Sequence, residues 1–365
     1  MSEYILVLLW LGIAAVISSV IGQQSVVNIC GKYEKRYSLI WAVVVMLPII
    51  WWAGNRDAVA DTGVYIRQFN SMPNTVQELS IYVETVTKDK WFFYLSALIH
   101  VFVTNDTVIY FLILAVIQGG ILVWVYRKYS TDYVLSIFLF IVSTDYISWM
   151  YNGIRQFTAV VITFLGIGLI LKKKYVLSVL LILLASQFHQ SALLMIPFIF
   201  LSQGKSWNKK TVLFLVIIIV AVAGAGNFTG LLDQMLADTQ YQNVVTDWTT
   251  SNDDGTNILR VLVYSVPAIL SFWGRRIIQE EDNPVINLCT NMSITAAGFY
   301  VLSAFTSGIF MGRLPIYFSL YNYILLPWEV EHLFREDESK FIKGCMIVAY
   351  LLFYYYSMHI TWNFF

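Results

Sequence analysis

The chain has 365 residues, of which 58% are hydrophobic and 13% are charged, and its 23 basic and 23 acidic side chains leave no formal net charge. This composition excludes an ordinary soluble domain, and a net charge of zero says nothing about partners, so only the distribution of charge is informative. Repeated apolar runs of about 17 to 25 residues are each long enough to cross the hydrocarbon core of a membrane.

The apolar runs predict helices. Only α-helices and closed β-barrels satisfy their backbone hydrogen bonds within a bilayer. The runs are continuous and rich in Leu, Ile, Val and Phe, whereas barrel strands alternate apolar and polar residues over about ten positions. The sequence therefore predicts an all-α polytopic transmembrane bundle, with residues 1–365 forming a single integral membrane domain.

The first apolar run, residues 4–22, is predicted to be a retained membrane span. Glu3 precedes it without any Lys or Arg, and no small-residue cleavage pattern follows, so it does not have the features of a secretory signal. Cys30, Cys289 and Cys345 lack metal-binding or redox spacing, and neither a disulfide nor a metal site is predicted.

Basic residues between the apolar runs predict the topology. By the positive-inside rule, each basic cluster should face the cytoplasm. The six clusters are Lys32, Lys35 and Arg36; Arg127 and Lys128; Lys172, Lys173 and Lys174; Lys205, Lys209 and Lys210; Arg275 and Arg276; and Arg335, Lys340 and Lys343. This arrangement predicts about ten spans, with both termini outside, at residues 4–23, 38–53, 107–126, 132–150, 154–171, 211–226, 258–274, 285–306, 314–332 and 342–361.

Two apolar stretches do not fit as full spans. Residues 91–104 are too short to cross the membrane and are predicted to form an interfacial or re-entrant helix. Residues 175–202 have basic clusters at both ends, so they are predicted to fold as a short hairpin with residues 187–190 at its outer tip. The alternative, one long tilted span, would break the charge rule.

Seven basic residues remain on the predicted outer side, and five of them are arginines. They are Arg56, Arg67, Lys88, Lys90, Arg155, Arg260 and Arg313. Arginine presents a planar fork that binds phosphate or carboxylate with two hydrogen bonds and keeps its charge. Cations on the side where they are scarce therefore predict an anionic ligand. The alternative is snorkelling with salt bridges to nearby acids, which is the preferred interpretation for Arg67.

Two outer loops, residues 54–106 and 227–257, contain no shift in composition that would mark a soluble domain. The second loop is acidic, and Asp253-Asp254-Gly255 lacks the alternating ligands of a calcium loop, so solvation is the preferred interpretation.

Four short strings fall on this outer side. They are Gly54-Asn55-Arg56-Asp57 with Asp61-Thr62-Gly63-Val64-Tyr65; Asn152-Gly153-Ile154-Arg155-Gln156; Phe188-His189-Gln190-Ser191-Ala192; and Gly312-Arg313-Leu314-Pro315-Ile316-Tyr317-Phe318. Together, in this order and spacing, they resemble the EpsG family of exopolysaccharide biosynthesis proteins, which is similar to Wzy-type polysaccharide polymerases. One departure is Ala60, where such families commonly have glycine before the Asp-Thr pair.

The resemblance implies a metal-independent glycosyltransferase without cofactors in the bacterial cytoplasmic membrane. It would polymerise oligosaccharide repeat units linked to a polyprenyl diphosphate such as undecaprenyl diphosphate, which serve as both donor and acceptor, into exopolysaccharide or capsule at the outer face. Expected partners are this lipid-linked oligosaccharide and membrane lipid, a chain-length regulator is a further candidate partner, and no nucleic acid is expected.

The chemistry requires fixed cations for the diphosphate leaving group and a base for the acceptor hydroxyl. Arg155 and Arg313 are the first candidates for binding diphosphate, followed by Arg56 and Arg260. The candidate bases are His189, Asp61 and Asp57, with a slight preference for His189. Asn152, Gln156 and Gln187 are candidates for substrate binding, and Tyr65 and Tyr317 for sugar contacts.

Structural alternatives exist for each candidate base. His189 could be a structural histidine bonded to Gln187 or Ser191, and Asp57 or Asp61 could pair with Arg56. Two other functions also remain open. One is a transferase or ligase that adds a single sugar or glycan, and the other is a flippase for lipid-linked sugars. A flippase should have polar residues through the centres of its spans, whereas here ionisable residues gather at one end.

Overall fold

The computed structural model describes residues 2–56, 59–224 and 255–364, and these form helices almost throughout, which confirms the predicted all-α class. Up to residue 201 the helices are α1 (Ser2–Ile21), α2 (Leu39–Gly54), α3 (Thr62–Asn70), α4 (Val76–Thr85), α5 (Lys90–Phe102), α6 (Thr107–Tyr129), α7 (Tyr133–Val142), α8 (Ile154–Leu165), α9 (Ile167–Leu171), α10 (Tyr175–Ser186) and α11 (Met195–Leu201), with a π-helix at Tyr146–Asn152 and a 3₁₀ helix at Gln190–Leu194. From residue 209 they are α12 (Lys209–Ala223), α13 (Ile258–Trp273), α14 (Arg275–Glu281), α15 (Pro284–Ala304), α16 (Ile316–Ser319), α17 (Asn322–His332) and α18 (Glu336–Ile360), with a 3₁₀ helix at Met311–Arg313.

The chain divides into two compact units. The first unit comprises Met1–Ile196 and Glu336–Phe365, and the second comprises Pro197–Arg335.

Fewer helices can cross a membrane than the sequence predicts. In the described residues, five helices are long and apolar enough to span, and seven result if each of two bent pairs is one span. The five are Glu3–Ile21, Thr107–Tyr129, Ile154–Leu171, Pro284–Ala304 and Glu336–Ile360. The prediction of about ten full spans was therefore too high.

Helix breaks explain part of this difference, and the short lengths of α2 and α12, with 16 and 15 residues, explain another part. The predicted span at 132–150 bends by 74° between α7 and the π-helix, where Thr144 has a left-handed backbone with a φ of 66°. The predicted span at 314–332 is divided into α16 and α17. Hydropathy measures the length of an apolar run but does not detect a break within it.

The two stretches that were not predicted to be full spans contain only short helices, as the sequence indicates. Helix α5 has 13 residues, close to the predicted short helix at 91–104. The apolar stretch at 175–202 is not one long helix, because α10 ends at Ser186 and a 3₁₀ helix begins at Gln190. The interruption coincides with the predicted tip.

A short β-hairpin in the first unit was not predicted. Strands β1 (Ser25–Ile29) and β2 (Lys32–Arg36) pair antiparallel around Cys30 and Gly31, which both have positive φ, as a two-residue turn requires. The Arg36 Nε donates to the Lys128 carbonyl at 3.1 Å, and the Arg127 Nε donates to the Tyr37 carbonyl at 2.7 Å. The hairpin thus joins two predicted cytoplasmic clusters at one end of the unit, here called the basic end.

Helices α2 and α6 pack closely through glycines. A Cβ on Gly119 would lie 2.6 Å from the Ile50 Cγ1, and one on Gly54 would lie 2.8 Å from the Leu112 Cα. Helix α2 starts beside the basic end, where Ser38 caps it, and its 16 residues rise about 24 Å. Arg56 follows its last turn, so Arg56 lies at the opposite end of the unit, here called the Arg56 end.

The core of the second unit is stabilised by buried amide groups. The Asn291 Nδ2 donates to the Ser202 carbonyl at 3.0 Å, and the Asn291 Oδ1 accepts from the Thr211 hydroxyl at 3.1 Å. The Asn322 Nδ2 donates to the Tyr264 carbonyl at 3.1 Å. These bonds connect α15 to the start of α12, and α17 to α13.

Candidate functional site

The centre of the candidate site is the turn between the π-helix and α8. Gly153 forms this turn, and a Cβ there would lie 2.7 Å from the Trp149 Cε3, so no other residue fits without a shift. Helix α8 begins at the next residue, which places Arg155 in its first turn. π-Helical segments are frequent at functional sites because they redirect side chains.

Arg155 forms an ion pair with Asp89. The Arg155 Nη1 lies 2.9 Å from the Asp89 Oδ2, and the Asp89 side chain is 4% exposed while that of Arg155 is 35% exposed. Asp89 precedes α5 in the left-handed region, with a φ of 48°. Burial raises the pKa of the Asp89 carboxyl, and the Arg155 charge opposes this effect. The carboxylate is thus an internal support, and the guanidinium reaches the surface.

Tyr65 and Asp61 complete the surroundings of Arg155. Burial raises the pKa of the Tyr65 hydroxyl, and the adjacent Arg155 guanidinium opposes that shift. The backbone N–H of Asp61 donates to the Asn152 Oδ1 at 3.3 Å, which joins the first string to the second. Asp61 itself is exposed at the start of α3. Because the Tyr65 ring is buried, it supports Arg155 and presents little surface to a ligand.

Arg56 is held between aromatic rings. Its guanidinium carbon lies 4.3 Å from the Phe111 ring centroid and 4.7 Å from that of Tyr151, and its Nη1 donates to the Met150 carbonyl at 2.6 Å. Burial lowers the pKa of the Arg56 guanidinium to about 10, so it remains charged at neutral pH. Cation–π contacts of this kind stabilise a cation without a carboxylate.

The third string contacts the same cluster. The Trp91 backbone N–H donates to the Gln187 carbonyl at 3.1 Å, and the Gln190 backbone N–H faces the Asp89 carboxyl. Between them, the His189 Nδ1 lies 2.7 Å from the Ser191 Oγ. This contact is one of the two structural alternatives for His189.

Three of the four strings therefore meet at the Arg56 end of the first unit. Gln156 is buried, Asn152 is partly exposed, and Gln187 is exposed. Asp57 and most of the loop at 227–257 lie outside the described residues. The chemical roles assigned to these residues remain predictions.

The fourth string lies in the second unit. The Thr256 backbone N–H donates to the Ser303 carbonyl at 3.1 Å, and a Cβ on Gly312 would lie 2.7 Å from the Thr256 Oγ1. The start of α13 thus contacts the turn that carries Arg313. Arg260, in the first turn of α13, has its guanidinium carbon 5.5 Å from the Tyr264 ring centroid.

Arg260 and Arg313 accordingly lie at the same end of the second unit, and Arg313 is exposed. Tyr317 is 1% exposed, so its ring does not form part of the surface in this arrangement.

Asp89 was missed by the sequence analysis. It lies between Lys88 and Lys90, directly before an apolar helix, and this position is more typical of a helix cap than of a partner for a distant arginine. Its side chain makes no cap hydrogen bond to α5. The only sequence feature that could have singled out Asp89 is its position as a lone acidic residue between two lysines.

The arrangement can bind an oxyanion. The Arg155 guanidinium bonds to Asp89 and to Tyr65, and a guanidinium has five N–H donors in total. The exposed part of this cation is fixed by a buried carboxylate and the Phe93 ring, whose centroid lies 5.6 Å from the guanidinium carbon. A cation held in place costs little reorganisation when a phosphate binds.

The fold and the site define a polytopic helical membrane protein with fixed arginines at one end of its first unit. The sequence profile of the EpsG family matches residues 39–363, which is most of the chain. The protein therefore belongs to the EpsG family, a Wzy-like family of exopolysaccharide biosynthesis. No curated protein and no solved structure is similar to this chain.

Proposed function

We propose that this protein polymerises oligosaccharide repeat units linked to polyprenyl diphosphate, at the outer face of the bacterial cytoplasmic membrane, without a metal ion. Membership of the EpsG family supports the polymer-forming activity. The observation that carries the choice of substrate is the Arg155 guanidinium, which is supported from inside by Asp89 and partly exposed. A diphosphate is the anion that such a fixed cation suits.

In the proposed reaction, the acceptor sugar hydroxyl attacks the anomeric carbon of the donor glycan. A new C–O bond forms, and the bond between the anomeric carbon and the diphosphate oxygen breaks, so the diphosphate departs with the electron pair. The acceptor proton passes to a base, for which His189 and Asp61 are the described candidates. Arg155 stabilises the charge that develops on the leaving group.

The proposed position of the candidate site at the outer face follows from the separation of the basic clusters from Arg56 and Arg155. Two basic clusters lie at the basic end, and Arg56 and Arg155 lie at the other end of the first unit. If the basic end faces the cytoplasm, as the positive-inside rule expects, the candidate site faces outward. Lipid-linked repeats at the outer leaflet would then reach Arg155 directly.

The test is chain lengthening by purified protein supplied with a lipid-linked repeat unit. Arg155→Ala should lower the rate by about 100-fold or more, as removal of a charge-stabilising group does. Arg155→Lys should recover only part of the rate, because an ammonium lacks the planar fork. A matched control is Arg67→Ala, since Arg67 is exposed on neighbouring α3 and is predicted to have no role in catalysis.

Wild-type rates in Arg155→Ala would refute the role of this residue. Arg313→Ala should also lose activity if Arg313 binds diphosphate, as predicted from the sequence. Products extended by one unit only would instead indicate a single-addition transferase. Movement of the lipid-linked sugar without any new bond would indicate a flippase.

A further inference from the structure

A large apolar groove lies along the first unit, away from the candidate site. Its volume is about 1030 Å³, and α1, the start of α7 and residues 343–351 of α18 line it. Its lining on α1 runs from Ile5 to Ser19, a rise of about 21 Å. This length exceeds half the hydrocarbon core, about 15 Å, so the groove can hold the full length of an extended acyl chain from one leaflet.

Two of the helices that line the groove, α1 and α18, are the least buried of the membrane-spanning helices in the first unit. Only 28% of the apolar window of α1 and of α18 is buried, compared with 50% for α6 and 67% for residues 154–171 in the same unit. A cavity between two such membrane-spanning helices opens towards the bilayer. Lipid chains are therefore the molecules that reach it.

An ion pair closes one end of the groove. The Lys343 Nζ lies 2.6 Å from the Asp132 Oδ2, and these are the charged residues among those that line the groove. Tyr37 also lines this end, and its carbonyl accepts the hydrogen bond from Arg127, so the ion pair lies at the basic end. The polar end of the groove is thus at the level of the headgroups of the leaflet opposite the candidate site.

We propose that this groove binds a zwitterionic phospholipid with a primary ammonium headgroup, with an acyl chain along α1 and its headgroup at Lys343 and Asp132. The charges match in sign, because the phosphate can accept from Lys343 and the ammonium can donate to Asp132. Both side chains are partly exposed, at 38% and 21%, and Lys343 has two further N–H donors. A neutral ion pair does not favour an anionic lipid over a zwitterionic one.

Gly12 provides a way to block the groove without disturbing the fold. It lines the groove in the middle of α1, and a Cβ placed on it would meet no atom within 4 Å. A Gly12→Leu side chain would therefore occupy the space of the acyl chain. The matched control is Gly120→Leu, because Gly120 on α6 has equally open space and does not line the groove.

The experiment reconstitutes the full chain in vesicles of equal phosphatidylethanolamine and phosphatidylglycerol, then counts the lipids retained after detergent purification by mass spectrometry. The wild type and Gly120→Leu should retain phosphatidylethanolamine in preference. Gly12→Leu should retain about tenfold less of this lipid, because its side chain takes the place of part of the acyl chain and removes that chain's apolar contacts. Equal retention in Gly12→Leu and Gly120→Leu would overturn the proposal.

The headgroup assignment is tested by Asp132→Asn. Asp132 also accepts the Leu135 backbone N–H at 3.0 Å, and asparagine can keep this helix cap. With Lys343 left as an unbalanced cation, the preference should change towards phosphatidylglycerol by about tenfold. An unchanged preference in this variant would refute the assignment, as would retention of an isoprenoid lipid or dimerisation through this face with no retained phospholipid.

Discussion

Asp89 and Arg155 are separated by 66 positions in the chain, and their side chains meet at 2.9 Å. The two residues have different roles in the candidate site. The buried Asp89 carboxylate fixes the orientation of the Arg155 side chain, and the partly exposed Arg155 guanidinium is available to a ligand. Side chains locked by such supporting contacts hold functional groups more exactly than free ones.

Replacement of Asp89 by asparagine tests this division of roles. Asparagine tolerates the left-handed backbone at this position, so α5 should keep its start, but Arg155 loses its counter-charge. We expect the chain-lengthening rate to fall by about tenfold, the equivalent of one charged hydrogen bond. Lys340→Gln, which removes an exposed ion pair with Glu336, should leave the rate unchanged.

The Asp89 carboxyl also predicts a pH dependence. Burial raises its pKa above the ordinary value of 3.8, so it becomes protonated and neutral at a higher pH than an exposed aspartate does. Arg155 then loses its partner, and the rate should decline on the acid side of the profile. This step should be absent from the profile of Asp89→Asn, in which any remaining decline reports other groups. An identical acid limb in the two proteins would contradict the assignment.

The same shift has a defined sign for stability. A carboxyl with a raised folded-state pKa binds its proton more tightly when folded. Its contribution to the free energy of unfolding is therefore largest below pH 3.8 and decreases as pH rises through the raised pKa.

Gly153→Ala should damage both fold and activity. The added methyl would lie 2.7 Å from the Trp149 ring, so the turn between Asn152 and Arg155 must move. We expect a loss of about 1–3 kcal/mol in the free energy of unfolding, typical of overpacking, together with a lower rate. Gly120→Ala adds a methyl where no atom lies within 4 Å and should be neutral or stabilising. Thermal unfolding in detergent measures both variants, and equal midpoints would show that the turn accommodates the methyl.

Ala60→Gly should stabilise the first unit. Ala60 has a φ of 50°, in the left-handed region that costs a residue with a Cβ about 1–2 kcal/mol. Glycine also has greater conformational freedom in the unfolded chain, which offsets part of the relieved strain. The free energy of unfolding should therefore rise by about 0.5–1 kcal/mol. Ala15→Gly in α1 has a regular helical backbone and should instead destabilise by about 1 kcal/mol. A destabilised Ala60→Gly protein would show that the left-handed turn is not present.

Ala60 also shows how sequence and structure complement each other. It is the one departure from the glycine that families of this type commonly have before the Asp-Thr pair. The structure gives the physical reason for that preference, because the backbone at this position favours a residue without a Cβ. The motif alone identified the position, and only the backbone angle explains it.

The helix breaks were less accessible to prediction. The predicted spans at 132–150 and 314–332 are continuous in hydropathy, yet the first bends at Thr144 and the second is divided between Ser319 and Asn322. Breaks depend on packing and on satisfaction of local hydrogen bonds, which a sliding average of hydropathy does not contain. Such breaks account for part of the overestimate in the number of spans, and helices shorter than a full span, such as α2 and α12, account for another part.

The sequence by itself determined the membrane class, the helical architecture, the basic clusters and the family, because hydropathy, charge and short motifs are local properties of the chain. Only the tertiary structure decided that Asp89 supports Arg155, that Arg56 lies between Phe111 and Tyr151, and that Lys343 and Asp132 close an apolar groove. These contacts join residues far apart in the chain. They depend on how helices pack, and no local pattern records which distant side chains that packing brings together.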